Sequence, residues 1–246
     1  MLRPGAMTSG LGASERGRRV PGPLLVALGT TLLVTVLSYA LPLAHSAAGV
    51  GLAFLAVTYA LVLRHDVATI RRHGLSLGGL LEPSRIDFRR LGRSALVAFA
   101  WCFAICALVL PPFVVGFRLY WGVSSQFAFT LPESPFDEVL GQLLVIALPE
   151  EAFYRGYLHT ALDDRFGKPW KILGARLGPG WLLGAAIFAL GHLATELHPS
   201  RLAVFFPALL FGWLRARTGG IGAPILVHAI FNLFASTLAR GYGLAA

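Results

Sequence analysis

Two adjacent carboxylates and an arginine, Glu150, Glu151 and Arg155, lie in an otherwise apolar stretch of this 246-residue chain. Ionisable side chains at bilayer depth are costly, so they usually line a protein-enclosed cavity and have a function. Residues four apart share a helix face, whereas neighbours point about 100° apart. Arg155 is therefore expected to pair with Glu151, which leaves Glu150 free to face a cavity as a general base. For Glu151 and Arg155 a structural role is favoured.

Further polar side chains with chemical potential lie in two later apolar stretches. His192 follows Phe188 by four residues, and Asn232 follows His228 by four residues. His228 and Asn232 therefore share a helix face and can direct hydrogen bonds to one point, as an oxyanion requires. A lone histidine in a helix is more often a packing residue than a catalyst. Two histidines in separate segments, with a carboxylate pair in a third, indicate a polar site within the membrane.

The composition indicates a polytopic helical membrane protein. Hydrophobic residues make up 56% of the chain, charged residues 13%, and the mean hydropathy is +0.68. The net charge of +9 does not indicate a nucleic-acid partner, because the basic residues lie between apolar stretches and form no basic patch on a polar surface. Membrane lipid is the expected surrounding of most of the chain.

An all-α fold with about seven transmembrane helices is predicted, or eight if an interfacial or re-entrant helix is counted. Residues 1–22 are expected to form a disordered basic cytoplasmic tail, and residues 23–240 a single transmembrane domain. The predicted spans are 23–44, 47–63, 94–117, 139–162, 181–195, 202–214 and 223–239. The 202–214 stretch is short enough to be re-entrant instead. A short interfacial helix is predicted at Val67–Arg72, and a lid-like interfacial segment at 118–138.

The basic residues also predict the orientation of the chain. Lysine and arginine concentrate in the N-terminal tail and in the segments 64–93 and 163–180. Because cytoplasmic loops are enriched in these residues, the N-terminus is expected to be cytoplasmic and the C-terminus to lie outside. Glu150 would then lie toward the cytoplasmic end of its helix, in a cavity open to the cytoplasm.

Three motifs in fixed order resemble those of a known enzyme family. They are Glu150-Glu151-x-x-x-Arg155, Phe188-x-x-x-His192 and His228-x-x-x-Asn232. They resemble the motifs of the CAAX-processing and bacteriocin-processing (CPBP, or Abi) intramembrane endopeptidases, which include the Ras-converting CAAX prenyl proteases. The resemblance covers roughly residues 139–239. It implies hydrolysis of a peptide bond in a membrane-associated protein or peptide.

The resemblance also implies roles for individual residues. Glu150 would activate the hydrolytic water with help from His192, and His228 and Asn232 would stabilise the oxyanion. Glu151 and Arg155 would support the site. The chain has no His-Glu-x-x-His zinc motif. No cofactor is favoured, because His228 paired with Asn232 suits an oxyanion hole better than a pair of metal ligands. The alternative is a zinc enzyme with Glu150, His192 and His228 as metal ligands.

Two other classes of function remain open from the sequence. One is a non-catalytic membrane immunity or scaffold protein that keeps the motif residues as a structural polar network. The other is a proton-coupled transporter, although transporters are often built from internal repeats and no repeat is found here. The short chain and tight loops favour an integral protein of a bacterial inner (plasma) membrane.

Overall fold

The protein is almost entirely helical in the computed structural model, which describes residues 22–244. Its helices are α1 (Pro23–Ala40), α2 (Leu43–Leu63), α3 (Val67–Arg72), α4 (Phe88–Trp121), α5 (135–166), α6 (Pro179–Thr195), α7 (Phe205–Thr218) and α8 (Gly222–Gly241). Two short 3₁₀ helices are Leu77–Gly79 and Pro199–Val204. Strands β1 (Trp170–Ile172) and β2 (Ala175–Leu177) form an antiparallel hairpin between α5 and α6. The predicted all-α fold is confirmed, and the predicted tail lies outside the described residues except for Gly22.

Four helices in the described part of the chain, α1, α2, α4 and α8, are long and apolar enough to cross a membrane. Helix α6 is apolar but has only 17 residues. The long helices expose large apolar side chains, such as Leu25 at 67% and Phe103 at 79%, which suits contact with lipid rather than water. The chain is therefore an integral membrane protein. Helix length and composition do not establish the predicted count of seven spans.

Local sequence signals explain where several helices begin and end. Helix α1 has Pro23 in its first turn, where a missing N–H costs nothing. The side chains of Asp66 and Asp87 accept backbone hydrogen bonds at the starts of α3 and α4. Helix α4 continues through two internal prolines to a left-handed Gly122 (φ 61°), so it is longer than the predicted span 94–117.

Helix α5, which carries the paired glutamates, is not a regular α-helix. Two π-helical stretches, Gly141–Ala147 and Ala152–Leu158, flank a single α-helical turn that contains Pro149. A π-turn accommodates an extra residue, and such turns are frequent at functional sites. Gly51 of α2 packs so closely on the carbonyl oxygen of Val145 that a side chain at Gly51 would collide with it. The irregular part of α5 is thus held against α2.

The helices run between two ends of the molecule. We call one the arginine-rich end, formed by residues 64–87, 167–178 and 219–221, and the other the opposite end, formed by residues 41–42, 122–134 and 196–204. Contacts at the arginine-rich end include Arg72–Asp164 (2.6 Å) and Trp213 Nε1 donating to Ile172 O (3.0 Å). Contacts at the opposite end include Tyr39 Oη donating to Ala194 O (3.2 Å) and Arg240–Glu138 (2.9 Å).

Candidate active site

Glu151 connects the first and third motifs. Its side chain is completely buried, and its Oε1 accepts hydrogen bonds from Arg155 Nη1 (2.8 Å) and from His228 Nδ1 (2.9 Å). Arg155 also donates to the carbonyl of Ala208 (3.2 Å) and lies over the ring of Phe188, 4.5 Å from its centroid. The expected pair between Glu151 and Arg155 is formed. The bond to His228 was not anticipated, and it fixes which ring nitrogen points away from Glu151.

Glu150 lies on the other side of the His228 ring. Its carboxylate is 14% exposed, and Oε2 lies 3.8 Å from His228 Nε2. That separation is too long for a hydrogen bond and is one that a bridging water could fill. Oε2 is buried and has no hydrogen-bond partner among the described residues. The neighbouring Glu151 accepts two hydrogen bonds through Oε1, although its Oε2 also has no partner among the described residues. Only Glu150 lines the cavity, so the two carboxylates have different environments, as their positions on the helix predict.

His192 lies in the last turn of α6. Its Nδ1 lies 3.0 Å from the carbonyl oxygen of Phe188. A carbonyl can only accept, so Nδ1 carries the proton, and in the neutral ring Nε2 keeps a free lone pair. The preceding Gly191 packs against the hydroxyl of Tyr154, where an added Cβ would lie 3.3 Å away. The glycine therefore allows α6 to approach α5 closely.

Asn232 has a partner, Gln142, that the motif spacing does not predict. Its Nδ2 donates to Gln142 Oε1 at 2.9 Å, which links α8 to the first π-helical stretch of α5. Gln142 precedes Glu150 by eight residues, or two steps of four. On a regular helix two steps of four leave residues within about 80° of each other, so this spacing could have marked Gln142 as a candidate.

These side chains meet in one cavity of about 730 Å³. Its lining includes every residue assigned a direct chemical role in the sequence analysis, together with the new one: Gln142, Glu150, His192, His228 and Asn232. Glu151 and Arg155 lie behind this lining. Polar residues also line the cavity where it approaches the opposite end of the molecule: Ser38, Ser46, Glu196, Arg201 and Ser236.

The position of the cavity corrects two expectations. Glu150 lies near the middle of α5, which runs from residue 135 to residue 166, and not near one end of a helix. The cavity was expected to open beside the basic segments 64–93 and 163–180. It extends instead toward the opposite end, because its lining residues come from the last half of α6 and the first half of α2.

The candidate metal ligands do not converge in this arrangement. Among residues 22–244, no group of three histidine, cysteine, aspartate or glutamate side chains lies close enough to hold a metal ion. Glu150 and His228 approach each other, whereas the nearest hydrogen-bond partner of His192 is a backbone carbonyl.

Comparison with known proteins identifies the family that the motifs resemble. Residues 132–234 match the family model described as Rce1-like, type II CAAX prenyl endopeptidase. No curated protein and no solved structure matches the chain. The matched segment contains all three motifs and Gln142, and it supports a CAAX-type intramembrane protease activity in general. Over residues 132–234 the chain is thus similar to the Rce1-like CAAX prenyl endopeptidases, which confirms the resemblance based on its motifs.

Proposed function

We propose that this protein is an intramembrane endopeptidase that hydrolyses a peptide bond of a membrane-associated protein or peptide. In this proposal α1, α2 and α4 to α8 all cross the membrane, and the host membrane is a bacterial inner membrane. The observation that carries the proposal is the unpartnered Oε2 of Glu150, 3.8 Å from His228 Nε2 in a cavity that also contains His192 and Asn232.

The hydrolytic water is placed between Glu150 and His228. As the water oxygen attacks the carbonyl carbon of the substrate, one of its protons passes to Glu150. The tetrahedral intermediate then collapses, the C–N bond breaks, and the proton held by Glu150 passes to the leaving nitrogen. The free Nε2 of His192 accepts a hydrogen bond from the water and so orients it for attack.

The oxyanion of the intermediate is stabilised by His228 and Asn232. His228 donates Nδ1–H to Glu151 and directs Nε2 into the cavity, 3.8 Å from Glu150; its contribution to the oxyanion is a hydrogen bond donated by a protonated Nε2. Asn232 has two amide N–H bonds. Gln142 accepts one of them, which leaves the other for the oxyanion.

Three residues position these groups without touching the substrate. Glu151 holds the His228 ring, and Arg155 neutralises the buried Glu151 carboxylate, whose charge would otherwise be costly. Gln142 fixes the Asn232 amide. Such support keeps catalytic side chains in one conformation before the substrate binds.

Replacement of Glu150 by glutamine tests the proposed base. The purified full chain would be incubated in detergent-lipid micelles with a pool of lipid-anchored, internally quenched peptides of randomised sequence. Since general-base catalysis contributes about 10²–10⁴-fold, Glu150→Gln should lower the rate of cleavage at least about a hundredfold. Glu133→Gln, at an exposed glutamate outside the cavity, is the matched control and should cleave at the wild-type rate.

Two outcomes would count against this mechanism. Wild-type cleavage by a folded Glu150→Gln variant would remove Glu150 as the base. Cleavage that disappears with a zinc chelator and returns with added zinc would replace the metal-free mechanism by metal catalysis. The endopeptidase proposal itself fails if two results are both negative. The wild-type protein would cleave none of the peptides, and cells expressing it would contain no protein terminus that is absent from cells expressing the Glu150→Gln variant.

A further inference from the structure

The cavity has a closed floor and a polar rim, and the two lie at different ends of the molecule. His228 is six residues after the start of α8, about 9 Å from the arginine-rich end at 1.5 Å per residue. From His228 the lining continues along α8 only in the other direction, through Asn232 to Ser236. The motif residues therefore lie at the bottom of a cavity that rises toward the opposite end.

A packed apolar layer separates the site from the arginine-rich end. Five side chains from α3, its following loop, α5 and the start of α8 are completely buried: Ile70, Leu75, Leu158, Leu162 and Ile221. Gly156 of α5 lets Leu75 pack directly onto the helix backbone. A second cavity of about 430 Å³ lies at the arginine-rich end, but none of the motif residues lines it. The apolar layer therefore lies between Glu150 and the arginine-rich end.

The rim at the opposite end is open and polar. Ser38 of α1 and Ser46 of α2 line it on one side, and Glu196 and Arg201 on another, with side chains 63% and 37% exposed. Each of these residues lies close to the end of its helix or in the loop that follows α6. Water and a polypeptide segment can therefore enter the cavity here.

The distribution of basic residues gives these two ends a direction in the membrane. The arginine-rich end carries seven arginines between residues 64 and 93, four lysines and arginines between 163 and 180, and Arg215 and Arg217. The opposite end carries three: Arg118, Arg201 and Arg240. Cytoplasmic loops of membrane proteins are enriched in lysine and arginine, and this bias sets the orientation. The arginine-rich end therefore faces the cytoplasm.

We infer that the cavity opens on the non-cytoplasmic face, so that the substrate is a translocated segment of a membrane protein or an exported, membrane-bound peptide. That the occupant is a substrate to be cleaved rests on the proposed function. The face on which the cavity opens does not depend on it. A lipid-modified tail attached to the cytoplasmic leaflet would meet the arginine-rich end and its closed apolar layer. This substrate class differs from the one that the family description, CAAX prenyl endopeptidase, names.

Labelling of introduced cysteines by a membrane-impermeant maleimide tests the direction of the cavity without requiring proteolysis. In full-length chain with Cys102 and Cys106 replaced by alanine, Ser84→Cys reports on the arginine-rich end and Ser125→Cys on the opposite end. Both positions are exposed. Ser46→Cys reports on the cavity, and Ser236→Cys on its other wall serves as a second cavity probe.

In right-side-out membrane vesicles, Ser125→Cys and both cavity probes should react, and Ser84→Cys should react only in inverted vesicles. Cavity probes that react together with Ser84→Cys would overturn the location of the opening. Reaction of Ser84→Cys, but not Ser125→Cys, in right-side-out vesicles would overturn the orientation. Because labelling does not depend on catalysis, either result is distinguishable from a failure of the endopeptidase proposal.

Discussion

At the scale of single residues, the hydrogen bond between Gln142 and Asn232 makes the most specific prediction. Gln142→Leu keeps the size of the side chain and removes the acceptor, so the Asn232 amide should lose its fixed direction. We expect kcat to fall about tenfold with KM unchanged, since misplaced catalytic groups slow the chemical step. Asn232→Ala should cost about 10²-fold in kcat, as the loss of an oxyanion donor does. Peptide-cleavage kinetics measure both.

The double variant separates positioning from general stability. If Gln142 acts through Asn232, then Gln142→Leu should have no further effect on kcat in the Asn232→Ala background. Gln126→Leu, at the exposed glutamine outside the cavity, is the control for the substitution itself. Additive losses of activity, or a loss that appears in KM alone, would show that Gln142 does not position the amide.

Glu151 shows how far residue spacing leads and where it stops. Its pairing with Arg155 follows from a four-residue separation, which the sequence contains. Its bond to His228 joins positions 77 residues apart, and no local pattern predicts which carboxylate of the pair meets which histidine. The family motifs indicated that these residues act together, whereas their division into a free carboxylate and a bonded one needed the three-dimensional contacts.

At the scale of elements, the mixture of α and π turns in α5 aligns residues that a regular helix would spread apart. Four residues spaced by four all line the cavity: Gln142, Ile146, Glu150 and Tyr154. In a regular α-helix each step of four advances about 40° beyond a full turn, so three steps would drift about 120°. Because a π-turn holds more residues, it reduces this drift. Hydrophobic periodicity predicts a helix here, but not its irregular turns.

The packing of α2 against α5 predicts a strong effect of a small substitution far from any catalytic atom. A methyl group at Gly51 would collide with the carbonyl oxygen of Val145, and backbone cannot move aside as a flexible side chain can. We expect Gly51→Ala to lower the free energy of unfolding by about 1–3 kcal/mol and to reduce kcat by displacing Glu150. Thermal unfolding in detergent and cleavage kinetics measure the two effects.

A matched control exists for this substitution in the neighbouring membrane helix. Gly29 of α1 has no atom close to the position of an added methyl group, so Gly29→Ala should leave the activity unchanged and stabilise slightly through its higher helix propensity. Equal stability and activity of Gly51→Ala and Gly29→Ala would mean that the contact with Val145 does not hold α5 in place.

At the scale of the whole molecule, the apolar composition predicted an all-helical membrane protein, and the basic segments predicted one cytoplasmic face. The end of the molecule at which the cavity opens could not be predicted from the sequence. It depends on which halves of seven separate helices leave space between them. The site was expected near the basic end, where the motif histidine of α8 indeed lies. The sequence contains no signal that the layer of Leu158, Leu162 and Ile221 closes that side.

The arginine-rich end is held together by a carboxylate cluster whose stability should depend on pH. Glu82, with a side chain 1% exposed, accepts hydrogen bonds from Arg71, Arg90 and Ser76. The two guanidinium groups hold the pKa of Glu82 well below its usual value of 4.5. The cluster therefore stabilises the fold fully above about pH 4.5 and loses this contribution as the pH falls further, because the unfolded chain takes up the proton first.

Glu82→Gln should accordingly lower the thermal unfolding temperature at pH 7, and the difference from wild type should shrink as the pH is lowered from 4.5 toward 3. Exposed Glu133→Gln, unfolded in the same detergent, should follow the wild-type protein at every pH. Glu82 joins the loop before α4 to α3. Loss of its hydrogen bonds would therefore also loosen the contact of Leu75 with α5 that closes the cavity floor. A difference in unfolding temperature that stays constant down to pH 3 would show that Glu82 contributes through packing and not through its charge.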